Sequence, residues 1–141
     1  MKQIMDPIHG LIDIDPELIQ MIDTPQFQRL RNISQMGPSS YVFPGATHKR
    51  FGHSIGTSSV AGDLLDNISR AQPDLKITPR ETLLIKAAGL CHDLGHGPLS
   101  HSFDNFMVCE SFNAPLCASL FISVSQTPFA ASFFSRYSMG A

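Results

Sequence analysis

Three histidines and an aspartate crowd into one short stretch, Cys91-His92-Asp93-Leu94-Gly95-His96-Gly97-Pro98-Leu99-Ser100-His101. Imidazole nitrogen and carboxylate oxygen together suit a borderline or hard divalent ion, so Zn²⁺, Mn²⁺, Fe²⁺ or Mg²⁺ is the implied cofactor. Upstream, Arg50-Phe51-Gly52-His53 adds another histidine beside His48, Lys49 and Arg50. Cations next to a metal cluster fit a phosphate ester, because the metal polarises one phosphoryl oxygen while arginine clamps others. The run His92-Asp-Leu-Gly-His96 also imitates the zinc-protease spacing of two histidines four apart. That pattern needs a glutamate after the first histidine, and Gly95 would lie inside the helix that must present both ligands. No G-x-x-x-x-G-K-[ST] segment occurs, so a nucleotide would not be held by a P-loop. A single His-Asp pair is commonplace. The plainer alternative makes His53 a capped core residue and leaves His48 and His101 in solvated loops.

These residues need a scaffold, and the helix signals are strong. Thr78-Pro79-Arg80-Glu81 reads as a capping box with proline at the first helical position. The helix it opens, through Leu83–Cys91, is apolar nearly all round and is expected to be central. Gly95, Gly97 and Pro98 break it just after His92-Asp93, which puts the cluster at a helix end. Asp15-Pro16-Glu17 opens a helix to Ile22, and Thr24-Pro25 opens another through Phe27, Leu30 and Ile33 to Gln35. Residues 39–52 read as an irregular connection with a short extended piece. Helical spacing resumes over His53–Ala71, with Val60, Leu64 and Ile68 on one side, until Gln72-Pro73 ends it. No strand alternation of useful length stands out, so the expected fold class is all-α.

The chain has 141 residues, 43% of them apolar, enough for one domain with a core. Its formal charge of −2 argues for no global attraction to nucleic acid or membrane, so an anionic ligand must be held by a local cluster. Cys91, Cys109 and Cys117 are an odd count without a C-x-x-C pair, which speaks against a disulfide framework or zinc ribbon. The first residues lack an apolar secretory segment, and a reducing intracellular compartment is the default. Charge then divides the chain: residues 1–105 hold 20 of the 22 charged residues and all six histidines. Residues 106–141 carry six of the ten phenylalanines. Ser111–Ser135 is uncharged, but Pro115, Pro128 and the serines Ser111, Ser119, Ser123, Ser125 and Ser132 interrupt it, so no membrane span is expected there.

The arrangement Arg50-Phe-Gly-His53-Ser followed by His92-Asp93-Leu-Gly-His96-Gly-Pro-Leu-Ser-His101 resembles the HD-domain metal phosphohydrolases. Asp6-Pro-Ile-His-Gly10, Ile22-Asp-Thr-Pro-Gln-Phe-Gln-Arg-Leu-Arg31 and Tyr41-Val-Phe-Pro-Gly-Ala46 are similar to one branch of them. That branch is the vertebrate deoxynucleoside triphosphate triphosphohydrolases that join a sterile-alpha-motif to an HD domain. The resemblance implies an HD-domain helical core, truncated, over residues 1–105, followed by an unrelated-looking tail at 106–141. It implies His53, His92 and Asp93 as metal ligands and His96, His101 and Asp104 around the scissile phosphate, with His101 a candidate general acid. By the same resemblance Arg50 contacts phosphate and Gln35 reads the deoxyribose 3′-hydroxyl. Lys2, Asp23, Gln28 and Arg31 match a guanine-nucleotide allosteric site, where a carboxylate would accept from the base and arginine and glutamine would donate. The implied reaction releases deoxynucleoside and triphosphate from dGTP and other dNTPs, under GTP or dGTP control. The family further implies nuclear or cytoplasmic location, nucleic acid as a further partner, and a homo-oligomer in its intact members but not in this fragment.

Three positions depart from the family pattern. Gly52 replaces an acidic residue, no histidine follows His101, and Glu110 is the only acid after Asp104, so a distal aspartate ligand and a further catalytic histidine have no counterpart. A three-ligand ion would be held weakly, and the truncated chain is expected to be inactive alone. Two other readings remain at this point: a non-catalytic nucleotide- or partner-binding fragment, and another HD phosphodiesterase. The apolar faces of Leu83–Leu90 and Val60–Ile68 would lack the downstream helices that cover them. Each large apolar side chain left uncovered forgoes roughly 1.5–3 kcal/mol against a typical total of about 5–15 kcal/mol. The chain expressed alone is therefore expected to melt broadly and aggregate, as followed by circular dichroism on heating; a sharp cooperative transition from a soluble monomer would mean that the tail completes a core.

Overall fold

Two short strands open the chain in the computed structural model, which describes residues 2–99 together with Ser102 and Phe103. His101, Asp104 and the whole of 106–141, the uncharged Ser111–Ser135 included, lie outside the described residues. Strand β1 (Lys2–Asp6) pairs antiparallel with β2 (Gly10–Ile14) in the register Ile4 to Ile12 and Asp6 to Gly10. The turn between them is tied by the Asp6 carboxylate, which accepts from the Ile8 and His9 N–H groups at 2.9 Å each. It closes on Gly10 at φ +73°, where a side chain would be strained. This hairpin corrects the all-α expectation. Ile12 and Ile14 point into the core, but the outward Met5 and Leu11 are apolar too, and this hides the two-residue period.

Helix α1 (Pro16–Ile22) starts on a proline and buries Leu18, Met21 and Ile22. Helix α2 (Pro25–Gln28) is one turn, capped by the Thr24 hydroxyl accepting from the Phe27 N–H at 3.3 Å. It tightens into a 3₁₀ turn over Arg29–Asn32 and stops at Ile33, which is extended at φ −98° and ψ 117°. The single helix expected through Gln35 is thus shorter, and long-range pairing explains the break. Arg50 N–H donates to the Ile33 carbonyl, Gln35 N–H donates to the His48 carbonyl, and Ser34 forms an isolated bridge with Lys49. Those bonds draw the chain out of helical geometry and fix where the next helix begins.

That helix, α3 (Arg50–Ala71), starts three residues before the spacing suggested. Helix α4 (Pro79–Cys91) starts on the expected capping box, with Thr78 and Glu81 bonded in both directions. The two pack at close range because Gly89 has no side chain. A Cβ there would meet Thr57 O at 3.3 Å and Ser58 Cα at 3.4 Å. The Ser58 hydroxyl donates to the Lys86 carbonyl at 2.8 Å, and Lys86 forms an ion pair with Asp15. Phe27, Leu18, Leu30, Ile55, Leu90 and Leu94 are all at 1% exposure or less and form the centre of the core. Helix α4 is covered on one side rather than all round: Ala87, Leu90 and Cys91 are buried while Ile85 is 46% exposed. Among the described residues no helix is long and apolar enough to cross a membrane. Gly89→Val should push α3 from α4 and lower stability by about 1–3 kcal/mol, measured by urea denaturation, because the obstructing atoms are backbone and cannot rotate away.

Candidate metal centre

The close approach of α3 and α4 brings the first turn of one to the last turn of the other. His53 sits in the first turn of α3, while His92 and Asp93 follow directly on the end of α4. Their donor atoms converge: His53 Nε2 lies 3.1 Å from His92 Nε2 and 3.5 Å from an Asp93 carboxylate oxygen, and His92 Nε2 is 3.4 Å from the other. One atom from each residue fits within a sphere of contacts no longer than 4.8 Å. The Gly89 carbonyl, 2.7 Å from His92 Nδ1, can only accept, so Nδ1 carries the proton and Nε2 presents its lone pair to the centre. Two imidazole nitrogens and a carboxylate oxygen converging at one point need a proton or a metal cation between them. The donor set fits a divalent ion.

Asp93 is buried at 7% side-chain exposure, and Arg50, at 1%, places its guanidinium 2.5 Å from Asp93 Oδ2. His96 Nε2 stands 3.3 Å from Asp93 Oδ1, so the carboxylate is the hub of the cluster. Burial lowers the pKa of His53 below the ordinary 6.5, helped by the neighbouring His92, Arg50 and His48 and opposed by Asp93. A neutral imidazole is the form that can ligate. Cys91 adjoins the cluster without joining it, since burial pushes its thiol up to about 11 and keeps it protonated.

The loop after α4 is held from three sides. Gly97 lies so close under the Phe103 ring that any side chain would collide with it. Gly37, at φ +54°, lets the preceding turn approach the Leu99 carbonyl, with a Cβ only 2.9 Å away. Arg29 reaches across from the 3₁₀ turn, one terminal nitrogen donating to the carbonyls of Leu94 at 2.7 Å and His96 at 2.9 Å.

A second pocket of about 590 Å³ opens beside the hairpin. It brings Lys2, Asp23, Gln28 and Arg31 together, as their sequence spacing alone could not. Lys2 Nζ is 3.3 Å from Asp23 Oδ1, Arg31 Nε donates to Gln28 Oε1 at 2.7 Å, and the Arg31 guanidinium lies 3.6 Å over the Phe51 ring. On the other side of Arg31, Phe51 and Gly52 runs a wider groove of about 900 Å³, which His48, Lys49 and His53 also line.

Residues 50–115 match the HD domain family. The match covers 66 of the chain's 141 residues, with α3, α4 and the His92–Asp93 pair inside it. Its relatives include the deoxynucleoside triphosphate triphosphohydrolase SAMHD1 of Bos taurus, 59% identical over 104 residues, and that of Homo sapiens, 58% identical over 104 residues. The SAMHD1 homolog of Dictyostelium discoideum is 52% identical over 106 residues. These alignments cover 74–75% of this chain but only 17–21% of the relatives, so the chain spans about a fifth of the length of the curated relatives it matches.

Of the residues singled out in the sequence, the fold gathers His53, His92, Asp93, His96 and Arg50 at one point and Lys2, Asp23, Gln28 and Arg31 at another. The Gln35 backbone N–H donates to the His48 carbonyl at 3.0 Å. Arg50 is not a surface cation but the buried partner of Asp93. Sequence reasoning missed Arg29 altogether, because a charged residue in an amphipathic turn looks like any solvated one. Arg50→Met should cost about 3–5 kcal/mol, read from chemical denaturation midpoints, because it leaves the Asp93 charge buried without its partner.

Proposed function

We propose that this HD domain belongs to a deoxynucleoside triphosphate triphosphohydrolase, and that residues 1–105 supply the metal-holding part of its active centre. The observation that carries the reading is the convergence of His53, His92 and Asp93 at one point, with Arg50 locked to the aspartate. The likeness to relatives named for that reaction supports the choice of substrate. A divalent ion held by these three residues supplies Lewis acidity toward a phosphoryl oxygen. Arg50 keeps Asp93 in its ligating orientation, and His96 stands on the far side of the same carboxylate, in reach of a phosphate. Lys49 and Arg31 along the wider groove supply positive charge for a polyphosphate. In this reading Gln35 contacts the sugar, and His101 and Asp104 complete the group around the scissile bond, with His101 protonating the leaving 5′ oxygen. The second pocket takes a guanine nucleotide: Asp23 accepts from the base N–H groups while Lys2, Gln28 and Arg31 donate.

A second reading rests on the composition after Asp104, where Glu110 is the only acid and no histidine occurs. It makes the chain as it stands a metal- and nucleotide-binding polypeptide with little turnover. The two readings share the metal centre and differ in catalysis. Titration calorimetry should show the full chain binding Mn²⁺, and dGTP binding should then require Mn²⁺. His92→Ala with Asp93→Ala should abolish both, and absence of Mn²⁺ binding by the unaltered chain would refute the centre. Triphosphate release from dGTP, but none from cyclic nucleotides, selects the enzyme reading. The pH profile has a defined sign. Because the His53 pKa is lowered, competition from protons at His53 should weaken Mn²⁺ binding only at a pH below 6.5, as calorimetry across pH would show.

A further inference from the structure

We infer that Arg29 is a positioning residue for the metal centre, holding the backbone that carries Asp93 and His96; this rests on the metal reading above. The argument begins with the chain just after α4. Four residues, Asp93-Leu94-Gly95-His96, must turn sharply while keeping two side chains aimed at one point. Their N–H groups are tied locally, Leu94 to the Cys91 carbonyl at 3.1 Å and His96 to the Asp93 carbonyl at 3.2 Å. Their carbonyls face the other way, and both meet the same Arg29 nitrogen, at 2.7 and 2.9 Å. The backbone on each side of Gly95 is therefore pinned by donors and acceptors alike. Glycine is the residue whose backbone has most freedom to lose, so an external clamp matters most there.

The clamp arrives from 65 and 67 residues earlier in the chain, so the loop conformation is not a local property of its own sequence. Arg29 itself is well fixed. Its neighbours Gln28 and Leu30 are anchored, Gln28 by a bond to the Ile22 carbonyl and Leu30 by complete burial. A guanidinium stays charged across the accessible pH range, so the bonds do not depend on titration. Groups that orient a metal ligand from behind typically contribute about 10–100-fold to metal affinity when removed.

The test compares the full chain with Arg29→Ala and Arg29→Lys by backbone hydrogen exchange and by Mn²⁺ titration. Arg29→Ala should speed exchange of the Leu94 and His96 amides by about tenfold or more while α3 and α4 stay as protected as before. Its Mn²⁺ dissociation constant should rise about 10–100-fold. Arg29→Lys should restore both, since the observed bonds run from a single nitrogen that an ammonium can replace. Unchanged exchange and affinity in Arg29→Ala would overturn the inference. So would an equal loss of protection throughout α3 and α4, which would make Arg29 a general stabiliser, or a failure of lysine to rescue. If the unaltered chain binds no Mn²⁺, the metal reading fails separately, and the loop exchange alone decides the role of Arg29.

Discussion

Arg50 and Asp93 are two charges taken out of water together, one at the start of α3 and the other just past the end of α4. Removing either ion from water costs several kcal/mol, and only the partner at 2.5 Å and the surrounding bonds offset it. The pair is therefore weak evidence of stability but strong evidence of geometry. It is satisfied in only one relative placement of the two helices. That placement puts His53, three residues after Arg50, against His92, one residue before Asp93. Gly89 is the steric condition for the same placement, because α3 and α4 can come close enough only where a side chain is missing. The metal donors converge as a consequence of the ion pair and the glycine, not by any attraction among themselves.

The short turn from Phe27 to Ile33 connects what the ion pair does not. Phe27 and Leu30 face the core, Phe27 meeting the Phe51 ring edge-on at 5.4 Å. Gln28 and Arg31 face the pocket beside the hairpin, and Arg29 faces the loop after α4. Seven residues thus touch the core, the second pocket and the backbone of the metal loop. Neighbouring side chains stand about 120° apart in a 3₁₀ turn, against about 100° in an α-helix, which aims Arg29, Leu30 and Arg31 in three separate directions. The change to 3₁₀ geometry at Arg29–Asn32 redistributes them, and the Ile33 and Ser34 bonds to the start of α3 hold the turn in that form.

Local signals in the sequence survived folding; signals that depended on distant partners did not. The Thr78–Glu81 box, the proline starts and the break after Asp93 are contained within a few residues, and each appears where the spacing put it. The hairpin was concealed because both faces of its strands carry apolar side chains, and only burial distinguishes Ile12 and Ile14 from Leu11. The helix from Thr24 ends early because backbone groups of His48 and Arg50 compete for its carbonyl and amide partners. The metal residues were legible by type, since His-Asp pairs and a separate histidine announce ligand chemistry. The burial of Arg50 was not, because nothing in Lys49-Arg50-Phe51 distinguishes a cation beneath the surface from one upon it. Arg29 shows the same limit: its partners are backbone carbonyls, which carry no mark in a sequence.

The exposure within the cluster is uneven, and the unevenness fits the chemistry. Asp93 is at 7% side-chain exposure while His53 and His92 are at 39% and 38%. The carboxylate is thus approached from behind by Arg50 and from the side by His96, leaving the two imidazoles at the open face. A divalent ion would be held by Asp93 from the buried side and by the two imidazoles from the exposed side. His53 also borders the groove that Lys49, Arg31, His48 and Asp6 line, so the exposed side of the cluster opens onto the groove where Lys49 and Arg31 stand. A polyanion drawn to those cations would meet the cluster through the imidazole edges, with the buried ion pair behind them holding the aspartate still.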